Sequence, residues 1–397
     1  MKKGLIIIRT ATYKGRADEK DYERLMSFLD EVFFTDKNGR VDTHFVELLP
    51  KLYKRQYNPC KNNFVVKEGK EIKGAAGLFY SDITVCGQTL KCGGIGNVCV
   101  AEDSRSKGYM KDCMNMALKD MVRNSADLGF LGGQRQRYAY FSFEPAGISC
   151  DFSFNTSNIK HCFEKGFINN YEVKRLTPKD TYAFREIEML LNGEPFYIPH
   201  EMSGIYDVFC SWSAIPYAIF DSGVFKGFFT VNKELDDIVS YKAVDRQSLK
   251  KLILAAFEVL GTNSLTFRTP AFYKDAVSFF SDTAESLAMR HSECYTVLNF
   301  ERVTQAFLEL QASVKKLCSG SVVLLIHGFN GDERLELSVE GGKICVAKSK
   351  KACHLELSHV EAVRLLFSLF SNERELLAPQ VQQWFPLPLH SYSFDGV

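Results

Sequence analysis

The stretch "GGIGNVCVAEDSRSKGYMKDCMNMALKDM", residues 93–121, sets the architecture of the N-terminal part of the chain. It reads as a strand ending near Val100, a polar turn, and then an amphipathic helix whose apolar positions Met110, Cys113, Met114, Ala117, Leu118 and Met121 recur at helical spacing. The first N–H groups of a helix lack partners within it and carry the positive end of its dipole, so a strand, loop and helix start in this order can cradle a phosphate. Ser106, Lys107, Gly108, Tyr109 and Met110 would offer those donors, with glycine letting the backbone approach and lysine adding charge. From these residues alone a plainer reading stays open, in which Gly108 only relieves backbone strain where the helix begins. The stretch is neither a Walker loop nor the G-x-G-x-x-G of a dinucleotide fold.

Outward from it, three blocks mix strands with helices. The first, residues 1–170, predicts a strand at "LIIIRT" (5–10), a helix at "DYERLMSFLDEVFF" (21–34), and an antiparallel series over 62–100 with hairpin turns at "KEGKE" and "CGQT". A short strand at "DLGFLGG" follows the glycine-containing helix. The second block, 171–290, repeats this order in weaker form: strands at "PYAIFD", "KGFFTV" and "DIVSYKAV", a helix at "RQSLKKLILAAFEVLG" and a strand at "SLTFRT". It has no counterpart of the glycine stretch. The third, 291–397, predicts a helix at "FERVTQAFLELQASVKKLC", strands at "SVVLLIHGF", "RLELSVEGGKICVAKS" and "CHLELS", a helix at "HVEAVRLLFSLF" and an aromatic, proline-containing tail. A tail this apolar is expected to dock. The fold class is α+β (mixed α/β).

A chain of 397 residues exceeds what one core organises, which agrees with several domains. Its formal net charge of +1 argues against a protein that binds nucleic acid through bulk electrostatics. No apolar run approaches the roughly 20 residues needed to span a bilayer, so no membrane span is expected and a cytoplasmic protein is the default. The 12 cysteines include no C-x-x-C pair, and most of them read as reduced and buried. The histidines lack metal-ligand spacing, and His354 and His359, flanking a strand-to-helix turn, read as surface residues. No metal is expected.

"NVCVAEDSRSKGYM" resembles the strand and pyrophosphate loop of the GCN5-related N-acetyltransferases (GNAT), with Arg105, Gly108 and Met110 at the loop's marked positions; Met110 stands where the family has a small residue. "RYAYFSFEPAG" is similar to the Tyr-x-x-Phe-Gly-Phe segment of the Eis-like acetyltransferases, with Ser142 in place of the glycine. That subfamily has two tandem GNAT domains and a sterol-carrier-like C-terminal domain, and the order of the three blocks here is similar.

The resemblance implies acetyl-CoA as co-substrate. Its pantetheine arm would pair with Val98, Cys99 and Val100, and its pyrophosphate would sit on Arg105, Ser106, Lys107, Gly108, Tyr109 and Met110. It implies Tyr138 as general acid and the C-terminal carboxylate of Val397 as general base, in direct transfer to a primary amine, aminoglycosides being the multi-amine example. It implies a homo-oligomer, a hexamer by resemblance. On composition, Tyr138 also reads as one of several packed aromatics beside Tyr140, Phe141 and Phe143, and the tail as purely structural. Asp30, Glu31 and Asp36, ending the first helix, could attract a cationic amine or form a solvated face. An alternative of another class is a non-enzymatic carrier in which the sterol-carrier-like block binds an apolar ligand or partner.

Overall fold

A computed structural model describes residues 11–163 and 171–397. The strand expected at residues 5–10 lies outside them. The chain divides into two compact units, one of Met1–Phe79, Gly94–Asn124 and Val397, the other of Tyr80–Gly93 and Ser125–Gly396.

In the first unit the strands run in the order β1 (Thr12–Arg16), β2 (Asn63–Glu68), β3 (Glu71–Val85) and β4 (Gln88–Val100), the last two each contributing one end to either unit. β1 and β3 are both antiparallel to β2. The period of two explains why this sheet is covered on both faces. Val65, Ala75 and Cys99 join a core with Leu25 and Leu29 of helix α1 (Tyr22–Phe34), together with Phe45 and Tyr53. Their sequence neighbours Val66, Ala76 and Val98 instead pack with Cys113 and Met116 of the helix Tyr109–Arg123. Both expected hairpin turns and both expected helices are present.

In the second unit, β3 and β4 are followed by β5 (Leu128–Leu131), then by Glu293–Val297 and Glu144–Ala146. Glu293–Val297 is antiparallel to both of its neighbours. Seven further strands among the described residues form a second sheet, in which Ser149–Asn155 pairs with Ser264–Pro270. A third sheet takes Gly320–Gly328, Gly331–Glu340, Lys343–Lys348 and Leu355–Ser358, with the hairpin turn at Gly341 and Gly342 where the sequence places it.

The helix expected over 300–318 spans Phe300–Val314, because Lys315 turns extended and reaches the Gln383 carbonyl with its ammonium. His359 is a second correction. It is buried between Phe300 and Phe329, its Nε2 lies 2.8 Å from Thr296 Oγ1, and burial pulls its pKa down to about 4. The apolar tail docks as expected, with Trp384, Leu387 and Leu389 fully buried and the Trp384 indole donating to the Cys318 carbonyl at 2.9 Å. Six cysteines are buried and none forms a disulfide.

Candidate functional site

The turn after β4 is built by local hydrogen bonds. Ala101 N–H donates to Lys73 O at 3.0 Å, Ser104 N–H to Ala101 O at 2.9 Å, and Lys107 N–H to Ser104 O at 3.4 Å. Two left-handed residues then redirect the chain, Ser106 (φ 66°) and Gly108 (φ 83°), and Gly108 is the N-cap of the Tyr109–Arg123 helix. Asp112 N–H, bonded to Gly108 O at 3.0 Å, marks the first helical hydrogen bond, so the amides of Gly108, Tyr109, Met110 and Lys111 precede the helix's own acceptors. A Cβ on Gly108 would meet nothing within 4 Å. The glycine thus supplies a positive φ, as the plainer reading requires, and it does so in open space at the helix mouth.

The cations around this mouth are matched by acids. Lys107 is 3.1 Å from Glu68 at the end of β2, and the Tyr109 hydroxyl donates to the same carboxylate. These two contacts hold the Glu68 carboxyl below its ordinary range. Arg105 lies 3.4 Å from Glu102, and Lys73 bridges Asp103 and Glu71, each at 2.8 Å.

A cleft of about 1010 Å³ opens within the first unit, bounded by α1, the start of β3 and the residues following β4. Phe28, Ile72 and Val100 supply apolar wall, while Glu31, Asp36, Lys70 and Arg105 reach it with charge. The structure thus brings Glu31 and Asp36 to the same cleft as Val100 and Arg105. Asp30 does not line it. Its buried carboxylate accepts from Phe45 N–H at 2.9 Å and lies 2.7 Å from His44 Nδ1, capping the short helix Phe45–Leu48. Asp36 also shapes its own turn, accepting from Asn38 N–H and Arg40 N–H, both at 2.8 Å.

Val98 faces the Tyr109–Arg123 helix and Cys99 the α1 core, and Val397 packs against that same α1 core. A Cβ built on Gly96 would stand 2.7 Å from the carboxyl carbon of Val397. The last residue therefore reaches β4 two positions before Val98.

In the second unit, Tyr138 ends the short helix Arg135–Tyr138 and is buried, its carbonyl accepting from Phe143 N–H at 3.2 Å and its ring lying against Gly133. Ser142 adopts φ 62°, ψ 28°, the left-handed region for which a glycine is the usual residue. Phe141 and Phe143 are buried and Tyr140 is exposed.

Sequence reasoning missed Glu68, Gly96 and the buried Asn63–Asn97 pair. One signal was available: a Gly-Asn step inside a strand pattern marks an irregularity.

Residues 15–145 match the family profile described as an acetyltransferase (GNAT) domain, so the glycine-containing turn and Tyr138 both fall inside that match. Among solved structures, a probable N-acyltransferase from Enterococcus faecalis V583 is 13% identical, with 90% of each chain covered and a TM-score of 0.64. A GCN5-related N-acetyltransferase from Anabaena variabilis is 14% identical, covering 96% of this chain and 98% of that one at a TM-score of 0.64. Eis1 from Mycobacterium abscessus is 12% identical, covering 96% and 97% at 0.63. No curated protein matches the sequence. The chain has the mixed α/β fold of GNAT acetyltransferases, Eis1 among them, and the match to the GNAT domain covers residues 15–145 of it. Among the described residues, no helix is long and apolar enough to cross a membrane, and no group of three metal-ligating side chains assembles.

Proposed function

We propose that the protein is an acetyl-CoA-dependent N-acetyltransferase that acts on a primary amine of a small acceptor, multi-amine molecules being the favoured class. The observation that carries this reading is the mouth of the Tyr109–Arg123 helix, where Ser106 and Gly108 are both left-handed and a Cβ on Gly108 would meet nothing within 4 Å, inside the matched GNAT segment. The pyrophosphate binds Arg105 to Met110, and the pantetheine arm pairs with Val98 to Val100.

Transfer needs a neutral amine, a polarised thioester and a proton for the leaving thiolate. The carboxylate of Val397 takes the proton from the amine; the seat of Val397 against Gly96 supports this role. The neutral amine then attacks the thioester carbonyl, the C–S bond breaks as Tyr138 gives its proton to the CoA thiolate, and the proton that the acylated nitrogen sheds restores the Tyr138 phenol. Glu31 and Asp36 favour a cationic acceptor in the cleft of the first unit. In this reading the chain comprises tandem GNAT domains over 1–170 and 171–290 and a sterol-carrier-like domain over 291–397, assembled as a homo-oligomer.

The test is calorimetric titration of acetyl-CoA into the full chain, beside a Gly108→Glu variant that puts a bulky anion where the phosphates bind. The expected result is saturable binding, one per chain, lost in the variant. No binding by the unaltered chain, or equal binding by both, overturns the reading.

A further inference from the structure

Asn97 lies inside β4 yet has φ 45°, a left-handed conformation that strand residues other than glycine rarely adopt. Such a residue persists only where its surroundings over-determine it. Here they do. The buried Tyr53 hydroxyl donates to Asn97 Oδ1 at 2.8 Å, and Asn97 Nδ2 donates to Asn63 Oδ1, also at 2.8 Å. Asn63, itself fully buried, donates to the Pro59 carbonyl at 2.9 Å. Both ends of the Asn97 carboxamide are thus engaged, by partners from β2 and from the short helix Pro50–Tyr53. Gly77 of β3 makes room for it, since a Cβ there would collide with Asn97 Oδ1.

A polar chain of this kind is costly to bury unless it is satisfied, and a hydrophobic residue would fill the space more cheaply. What it sets is the backbone between Gly96, where Val397 is seated, and Val98, where the strand edge begins that would face the pantetheine arm. We infer that Tyr53, Asn97 and Asn63 form a positioning network that bends β4 into the shape that receives the acyl end of acetyl-CoA. The inference rests on the acetyl-CoA reading and deepens it: these side chains act through the backbone and touch no cofactor themselves.

The experiment compares two probes by calorimetry, acetyl-CoA and 3′-phospho-ADP, the nucleotide part of CoA that has no pantetheine arm. The variants are Tyr53→Phe, which leaves β4 itself unaltered, Asn97→Ala, and Asn97→Gly, which keeps the left-handed conformation accessible. Asn97→Ala is expected to weaken acetyl-CoA about tenfold, comparable to one buried hydrogen bond, and Tyr53→Phe about threefold, with 3′-phospho-ADP binding within twofold of the unaltered chain. Asn97→Gly is expected to recover part of the loss. Unchanged acetyl-CoA affinity in folded Asn97→Ala and Tyr53→Phe overturns the inference, as does a parallel loss of both probes. If the unaltered chain binds 3′-phospho-ADP but acetyl-CoA no more tightly, the phosphate site stands and the network's role falls. If it binds neither, the acetyl-CoA reading falls and takes this inference with it.

Discussion

Val397 sits against Gly96 so closely that no other residue type fits at that position of β4 without moving it: a Cβ there would stand 2.7 Å from the terminal carboxyl carbon and 3.1 Å from its oxygen. Val397 also packs on the core that contains Phe28, Tyr53 and Cys99. The seat is therefore defined by sterics on one side and by apolar contact on the other. Gly96→Ala is expected to unseat the residue, at a cost on the order of 1–3 kcal/mol for an overpacked site. Carboxypeptidase should then release Val397 several times faster from the variant, as read by mass spectrometry. Equal trimming rates would show that the terminus does not depend on this contact.

Glu68 sets the charge at the helix mouth. Its carboxylate lies 3.1 Å from Lys107 and accepts from the Tyr109 hydroxyl, so it holds a cation and a donor that a bound phosphate could use. Glu68→Gln removes the competing anion and keeps the shape. Acetyl-CoA affinity is expected to rise about threefold at low ionic strength and to return toward the unaltered value in high salt, where exposed charges are screened. A weaker complex, or a gain that salt leaves intact, would assign Glu68 to structure.

Most of the site's framework was legible because its periodicities are local. The alternation over 62–100 and the 3.6-residue repeat after Tyr109 each point one set of side chains to one core, and the structure places Val65 and Val66 on opposite faces as that alternation requires. What was not legible depends on partners distant in sequence. Asp30 read either as part of an amine-attracting cluster or as part of a solvated helix face, but Phe45 and His44 consume it and it is buried. His359 looked exposed beside a turn, but Phe300 and Phe329 enclose it. The left-handed Asn97 depends on Tyr53, 44 residues away, and on Asn63, 34 away. Ser142 replaces a glycine at a position whose φ of 62° explains why glycine is usual there; a serine can adopt that conformation at modest cost.

Glu293 gives a prediction from burial alone. It lies beside Gly132, a Cβ on which would stand 3.3 Å from Glu293 Oε2, and desolvation raises its pKa to about 7. A carboxyl raised in the folded state favours folding while protonated. Its contribution is complete below the unfolded value, near 4.5, and is lost as pH rises through about 7. Glu293→Gln should therefore raise the melting temperature at pH 8 and leave it nearly unchanged at pH 4.5. A variant less stable at pH 8 would mean that the ionised carboxylate has a favourable partner after all.

The tail's penultimate turn is held by a charge the protein keeps buried. His200 lies 2.8 Å from Glu188 Oε1 through Nδ1 and 2.8 Å from Asp395 Oδ1 through Nε2, and Phe394 packs edge-on against the imidazole. Burial would depress the imidazole's pKa, yet Asp395 first and Glu188 second outweigh it and raise the value to about 9. The ring is then a cation at neutral pH, bonded at both nitrogens. Because the folded pKa lies above the unfolded 6.5, the stabilisation is complete below pH 6.5 and disappears as pH rises through about 9. The difference corresponds to on the order of 3 kcal/mol. His200→Gln keeps two polar ends but no charge, so it should lower the unfolding free energy at pH 7 by roughly that order, with the gap narrowing above pH 9 as the unaltered ring deprotonates. Chemical denaturation of both chains at pH 7 and pH 9.5 measures it. A gap of equal size at the two pH values would mean that the imidazole holds Asp395 as a neutral hydrogen-bond donor rather than as a cation.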